Sequence, residues 1–296
     1  MLSTPMFKKS VEKALRDNRR NRRNRRNMNI IYANCFEGQP NKGVGSIVKN
    51  LNVTNSLFRG MDKVNIPSQD FNNKKGYYNL RTEVYKSHKR GDTPFTLGGD
   101  HSIGVGTVAG SLDFYKKDLT TIWIDAHADI NTYKSSNTKN LHGMPLSFLT
   151  GLDKSFMNMD GNELLTENLL YYGLRDVDKF EQNAMNNYNI KHMTSDDLNR
   201  GNRFDNLTIP TENVHLSVDV DVLDPLFMSS TGTPVPHGIT PQKLYDLIHW
   251  IHQNSNIVAV DLVEYNPECS TSGQQFNTDQ YIMRELISEL LSLFRK

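Results

Sequence analysis

Two short apolar runs in this chain end in alternating acids, and that pairing restricts the fold more than any other feature. Leu119-Thr-Thr-Ile-Trp-Ile124 leads into Asp125-Ala126-His127-Ala128-Asp129, and Val214-His-Leu-Ser-Val218 leads into Asp219-Val220-Asp221. Short continuous apolar runs suit strands covered on both faces, the condition of a parallel sheet between helical layers. Along an extended backbone alternate side chains share a side, so Asp125, His127 and Asp129 converge at a strand's C-terminal end. A third segment, Leu97-Gly-Gly-Asp100-His101-Ser102, adds a histidine after a glycine-rich turn. Carboxylates and imidazoles without thiolates suit hard to borderline divalent ions such as manganese rather than a structural zinc. His101, Asp125, His127, Asp129, Asp219 and Asp221 are more ligands than one ion takes, so the pattern predicts a two-metal site.

The rest of the chain repeats the same grammar. Asn29–Ala33, Thr93–Leu97, Leu169–Leu174 and Asn256–Leu262 also read as buried strands. A loop is expected over Glu37–Gly45, with a helix opening from Ser46 to Leu51. Thr240-Pro241 is an N-cap followed by proline at the first helical position, with Leu244, Leu247, Ile248 and Ile251 at helical spacing. Gln280–Phe294 carries Ile282, Leu286, Ile287, Leu290, Leu291 and Phe294 along one face. Strands alternating with helices predict an α/β, three-layer architecture: a mainly parallel sheet with helices on both faces. Ligands bind such sheets at the C-terminal ends of the strands, where the acids sit.

Composition excludes several classes. The 296 residues carry a formal net charge of +1, so any affinity for polyanions must be local. The local candidate is residues 16–27, with seven arginines and almost nothing apolar. This block predicts a disordered extension over residues 1–27, ahead of one catalytic domain over 28–296. A solvated extension without a specific role is the first expectation for it, and weak contact with nucleic acid through residues 16–27 is the leading functional one. Nuclear import or an organelle presequence are the alternatives, and Glu12 and Asp17 argue against the presequence. Cys35 and Cys269 make no disulfide framework. With no membrane-length apolar run and no signal-like apolar segment in the first 27 residues, the expected location is cytoplasmic.

Several segments in one order resemble the ureohydrolases, with the arginase branch the closest match. They are Gly98-Gly-Asp-His-Ser102, Asp125-Ala-His-Ala-Asp-Ile-Asn-Thr132, Leu141-His-Gly143, Ser217-Val-Asp-Val-Asp-Val-Leu-Asp-Pro225 and Thr231-Gly-Thr-Pro-Val235. The likeness runs from about Gly38-Gln-Pro40 to Val263-Glu-Tyr-Asn-Pro267. It implies an arginase/deacetylase-like fold and a binuclear manganese centre, with cobalt or iron as other occupants. One ion falls to His101, Asp125, Asp129 and Asp219; the other falls to His127, Asp125, Asp219 and Asp221, with Asp125 and Asp219 bridging. A hydroxide held between the ions would attack the guanidinium carbon of L-arginine and release L-ornithine and urea. Asp129 would move a proton to the leaving amine, His142 would shuttle protons, and Glu264 would hold the guanidinium.

By the same resemblance, Asn131, Thr138 and Asn140 would bind an α-carboxylate. Asp178, and Glu181 through water, would bind the α-ammonium, and Thr233 would add a hydroxyl near the second ion. Those groups favour arginine over agmatine, which would leave them unpaired. Agmatinase, formiminoglutamase and guanidino-acid hydrolase activities are the alternatives within the group. A one-metal zinc deacetylase is a weaker alternative, because it would not require all six ligands. The family also implies a homo-oligomer, a trimer or a hexamer. Two departures stand out: Val222 replaces a common glycine, and His237 interrupts a glycine pair.

Overall fold

The computed structural model of the chain describes residues 27–46, 57–201, 204–206 and 208–294. The arginine-rich segment before Asn27, and the helix expected beyond Ser46, lie outside the described residues. Eight strands form one sheet: β1 (Met28–Ala33), β2 (Asp62–Ile66), β3 (Thr93–Leu97), β4 (Leu119–Ile124), β5 (Leu169–Leu174), β6 (Lys191–Thr194), β7 (Asn213–Asp219) and β8 (Asn256–Val263). Their spatial order is β2-β1-β3-β8-β7-β4-β5-β6, and every neighbouring pair is parallel.

The apolar strands of the sequence occupy the middle of this order. The two that pattern reading misses are the edges. Asp62-Lys-Val-Asn-Ile66 is largely exposed and Lys191-His-Met-Thr194 is mixed, since each has one strand neighbour and faces water beyond it.

Alternating side chains feed two separate cores. On one face Ile30, Ile124 and Leu216 pack against Leu244 and Ile248 of α6 (Pro241–Asn254) and Leu286 and Leu290 of α7 (Gly273–Ser292). On the other, Ile31, Trp123 and Val258 meet Leu80 and Val84 of α1 (Lys75–Arg90) and Val108 of α2 (Gly104–Tyr115). The short helix α3 (Pro145–Leu149) and α4 (Lys179–Asn187) cover that face too, while α5 (Ser195–Arg200) inserts Leu198 into the first core. The expected N-cap at Thr240 is present, its hydroxyl accepting the Lys243 N–H at 3.2 Å. The last helix begins seven residues earlier than its apolar stripe indicates, because Ser272 caps it through the Gln275 N–H at 3.1 Å. Among the described residues no helix is long and apolar enough to cross a membrane.

The second core is not wholly apolar. His88 Nε2 lies 3.0 Å from Ser111 Oγ, which lies 2.9 Å from His215 Nδ1, and His215 Nε2 lies 2.9 Å from Asp261 Oδ2. Thr107 Oγ1 also donates to Asp261. This chain ties α1 and α2 to β7 and β8, giving His88 and His215 a structural role.

Gly99 shows why the turn after β3 is glycine-rich. Its N–H donates to the Ala33 carbonyl at 2.8 Å, and a Cβ there would lie 1.6 Å from the Cys35 carbonyl oxygen. The backbones of the β1 and β3 loops therefore touch only because no side chain intervenes. Gly99→Ala is expected to cost about 3 kcal/mol, the upper range for an overpacked site that must shift backbone. Thermal or urea denaturation checks this, and a change below about 1 kcal/mol would show that the loops can part freely.

Candidate metal centre

Sheet register sets the acidic segments side by side. Leu97 of β3 pairs with Leu262 of β8, Leu262 with Val218 of β7, Val218 with Ile124 of β4, and Ile124 with Tyr172 of β5. Just beyond this row the five strands deliver Asp100 and His101, Glu264, Asp219 and Asp221, Asp125 to Asp129, and Arg175 to Asp178. The six residues proposed as metal ligands from sequence are therefore gathered at one end of the sheet.

His101 is oriented from two sides. Its ring stacks on Trp123 with centroids 3.7 Å apart, and Nε2 lies 2.9 Å from Ser217 Oγ. Nδ1 then faces Asp125 Oδ2 at 2.9 Å and Asp129 Oδ2 and Asp219 Oδ2 at 3.2 Å each. Both His101 Nδ1 and Asp125 Oδ2 are buried without a well-directed hydrogen-bond partner. Buried polar atoms that converge without bonding one another form a cradle for a cation.

A second group adjoins the first. His127 Nδ1 lies 3.0 Å from Asp221 Oδ2 and 3.5 Å from Asp125 Oδ1. Asp125 turns one oxygen to each group, so the groups share it. His101, Asp125 and Asp219 form one set and Asp125, His127 and Asp221 the other, the ligand atoms of each within 4.8 Å of one another. Backbone N–H groups orient the carboxylates: His127 donates to Asp125 at 2.7 Å, Asp221 to Asp219 at 2.8 Å and Ala126 to Asp221 at 3.2 Å. This all-oxygen and nitrogen donor set, with one shared carboxylate, fits a pair of divalent ions.

The electrostatics agree. Burial alone would lower the imidazole pKa of His101 and of His127, yet the surrounding carboxylates outweigh it and raise both well above the ordinary value. Burial, then the charges of Asp221 and Asp125, push Asp219 well above the usual carboxylate range. Burial and Asp125 push Asp129 up to about 6. These shifts are the signature of carboxylates and imidazoles crowded together away from water.

Asp129 and Glu264 both adopt left-handed backbone, with φ of 50° and 65°. Such non-glycine conformations cost about 1–2 kcal/mol each and are held here by the surrounding structure. Glu264 is buried, its N–H bonded to the Gly99 carbonyl at 2.9 Å. Its Oε1 accepts the His101 N–H at 2.8 Å and lies 3.3 Å from His142 Nδ1, while Oε2 accepts from the Gln39 side-chain amide. Burial would raise the carboxyl pKa, but His142 and the His101 N–H hold it below the usual range. Reciprocally, the Glu264 carboxylate overcomes burial and pushes His142 up to about 9.

Above the cradle opens a cavity of about 220 Å³, room for roughly seven waters and hence for a ligand of amino-acid size. Asn131, Asp178, Glu181 and Thr233 line it, as do His127, Asp129, His142 and Asp219. Thr233 Oγ1 donates to Asp221 at 3.1 Å, and Asn131 Nδ2 donates to Asp178 Oδ2 at 2.7 Å. Asp178 also caps α4. Its other oxygen accepts the Glu181 N–H at 3.0 Å, and Glu181 returns the bond at 3.1 Å. Burial pushes Glu181 up to about 8. Thr138 and Asn140 sit on the rim loop outside the cavity lining, the Thr138 hydroxyl accepting the Asn140 N–H at 3.3 Å.

Two functional neighbours escape sequence reading. Gln39 is separated from Glu264 by 225 positions, and a lone glutamine carries no signal of that contact. Asp176 lies 3.7 Å from His127 Nε2, and only its place in Arg175-Asp-Val-Asp178 could have marked it. The two departures resolve differently. Val222 is buried, and its Cγ2 lies where a Cβ on Gly173 would fall, 2.4 Å away, so Gly173 with φ of 103° makes room for it. His237 is exposed, in left-handed backbone with φ of 67°.

A model of the arginase family matches residues 42–290. The chain belongs to the arginase family. Among curated relatives, the arginase of Coccidioides posadasii is 39% identical over 210 residues, 66% of this chain and 65% of that protein. The arginase of Staphylococcus aureus MRSA252 is 38% identical over 197 residues, 64% of this chain and 65% of its own length. The matched stretch thus spans just under two thirds of these relatives. Arginase structures agree over more of the molecule. That of Bacillus subtilis superposes with a TM-score of 0.78 at 27% identity, covering 89% of this chain and 98% of the other. That of Entamoeba histolytica, solved with L-ornithine, gives 0.79 at 26% identity with the same coverage.

The coupling of His142 to Glu264 makes a testable pH window for this arginase-family site. A raised His142 pKa stabilises the fold fully below the free value of 6.5, and the contribution is lost as pH rises through about 9. The depressed Glu264 pKa adds stability that is lost as pH falls through that value. In Glu264→Gln, the His142 titration followed by NMR in metal-free protein is expected to fall by about a unit or more, toward the ordinary range. An unmoved titration would place the cause elsewhere.

Proposed function

We propose that this chain hydrolyses L-arginine to L-ornithine and urea at a pair of manganese ions. The observation that carries the reading is one cavity lined by members of the metal cradle (His127, Asp129 and Asp219), by His142, whose Nδ1 lies 3.3 Å from the buried Glu264 carboxylate, and by polar groups suited to an α-amino acid. His101, Asp125, Asp129 and Asp219 would hold one ion, and His127, Asp125, Asp219 and Asp221 the other. Bound there, the ions would supply Lewis acidity that lowers the pKa of a coordinated water toward neutral.

The protein's own residues account for the remaining steps. Glu264 accepts three hydrogen bonds and keeps one of a carboxylate's four acceptor positions for a guanidinium N–H. A planar guanidinium held there is oriented for attack at its carbon. Water's oxygen bonds to that carbon, the bond to the side-chain nitrogen breaks, and a proton must reach the departing amine. Asp129, which lines the cavity, suits that transfer, and His142, which lines it too, suits proton exchange with solvent. At the rim Asn131 and Asp178 already bond each other, so a substrate α-ammonium and α-carboxylate would take over from that contact. The ornithine in the Entamoeba relative accords with this class of ligand. Localisation in the cytoplasm and assembly into a trimer or hexamer remain part of the proposal.

Urea release from L-arginine and agmatine, measured in parallel after manganese reconstitution, tests the substrate. Turnover of arginine that is abolished by chelator is expected; agmatine as the better substrate would overturn the amino-acid reading. Asp178→Ser keeps an N-cap for α4 but removes the carboxylate. It is expected to lower kcat/KM for arginine roughly 10- to 100-fold, the value of one charged hydrogen bond, with a melting shift of only a few degrees. For the proton step, Asp129→Asn is expected to lower kcat by a factor of about 10² or more, with manganese uptake measured alongside. Parent-like turnover by that variant would remove Asp129 from the mechanism.

A further inference from the structure

Arg175, the first residue after β5, spends its whole guanidinium on backbone carbonyls. Nε donates to Val235 and Pro236 at 3.2 Å each; Nη1 to Gly173 at 3.4 Å and Val222 at 3.2 Å; Nη2 to Asp221 at 2.5 Å, Val235 at 2.8 Å and Leu223 at 3.3 Å. Three segments meet on this one side chain: the end of β5, the turn that holds Asp221, and the loop after Thr233. Its backbone reaches a fourth, since the Arg175 N–H donates to the Ala126 carbonyl at 2.9 Å, between Asp125 and His127.

We infer that Arg175 is the positioning residue for the second metal group, holding Asp221 in register with Asp125 and His127. This rests on the two-ion reading above. The arrangement singles out that group. Asp221 is grasped at its carbonyl by Arg175, at Oδ1 by the Ala126 N–H at 3.2 Å and at Oδ2 by Thr233 at 3.1 Å. Each of these contacts traces back to a segment that Arg175 ties down. His101 of the first group is instead held by Ser217 and Trp123. The residue type follows from the acceptors. A flat fork with five N–H donors can serve carbonyls spread around its edge, whereas a lysine ammonium offers three donors from one point.

The experiment is manganese binding to the full chain, parent against Arg175→Lys, by calorimetric titration and by elemental analysis after equilibrium dialysis. Electron paramagnetic resonance then distinguishes a coupled pair from a single ion. The expected result is unchanged affinity for the first ion and at least tenfold weaker affinity for the second, with the coupled signal replaced by that of an isolated ion. Two ions bound as in the parent would overturn the assignment, as would equal weakening of both, which describes a general loss of structure. A parent that takes up fewer than two ions would overturn the two-ion reading and this inference with it. Should the lysine variant fail to fold, Thr233→Val tests the link from its other end. Selective weakening of the second ion supports the inference, and equal uptake of both overturns it.

Discussion

Asp125, Asp129, Asp219 and Asp221 are buried together around two imidazoles, and this crowding of like charge is what the rest of the structure must accommodate. Carboxylates a few ångströms apart away from water repel strongly, and desolvation penalises each of them further. Protonation relieves part of the repulsion, which is why Asp219 and Asp129 are displaced upward while His101 and His127 are drawn toward their cationic forms. Divalent ions relieve it more completely. A cluster of this kind links stability to metal, because ions that bind only the folded chain stabilise it by mass action.

The sheet is what makes such a cluster possible. Five adjacent parallel strands end in one row, so backbone hydrogen bonds made well below the site set the spacing of the acids above it. Rigidity then comes from neighbours that hydrogen-bond or stack on the ligands rather than from the ligands themselves. Trp123 and Ser217 aim His101, backbone N–H groups aim the carboxylates, and Gln39 and the His101 backbone hold Glu264 in a left-handed conformation. Each of these supports lies on a strand or in a loop pinned to one, which limits how far the site can relax.

Legibility in the sequence follows physical exposure. Central strands are readable because both faces are buried and most of their residues are apolar; edge strands β2 and β6 are not, because water satisfies one side. Candidate ligands are readable because alternation along a strand concentrates acids and histidines into a short window. The resemblance makes Asp178 a substrate contact, while Asp178-Lys-Phe-Glu181 also has the capping-box spacing that the structure realises at the start of α4. Thr138 and Asn140 are assigned to the site by family resemblance alone, and neither is among the residues that line the cavity.

What the amino-acid sequence determined by itself was the architecture and the inventory of chemistry: a parallel sheet between helices, and six candidate metal ligands at the ends of its strands. Both are encoded locally, in periodicities of a few residues that the backbone must obey. Only tertiary structure decided the partnerships across the chain. Gln39 meets Glu264, Arg175 gathers carbonyls from the Asp221 and Val235 segments, and Gly173 gives way to Val222. Contacts of that kind arise from how segments as much as 225 residues apart come to lie side by side. No local pattern records them, because the groups involved are ordinary until the fold brings them together.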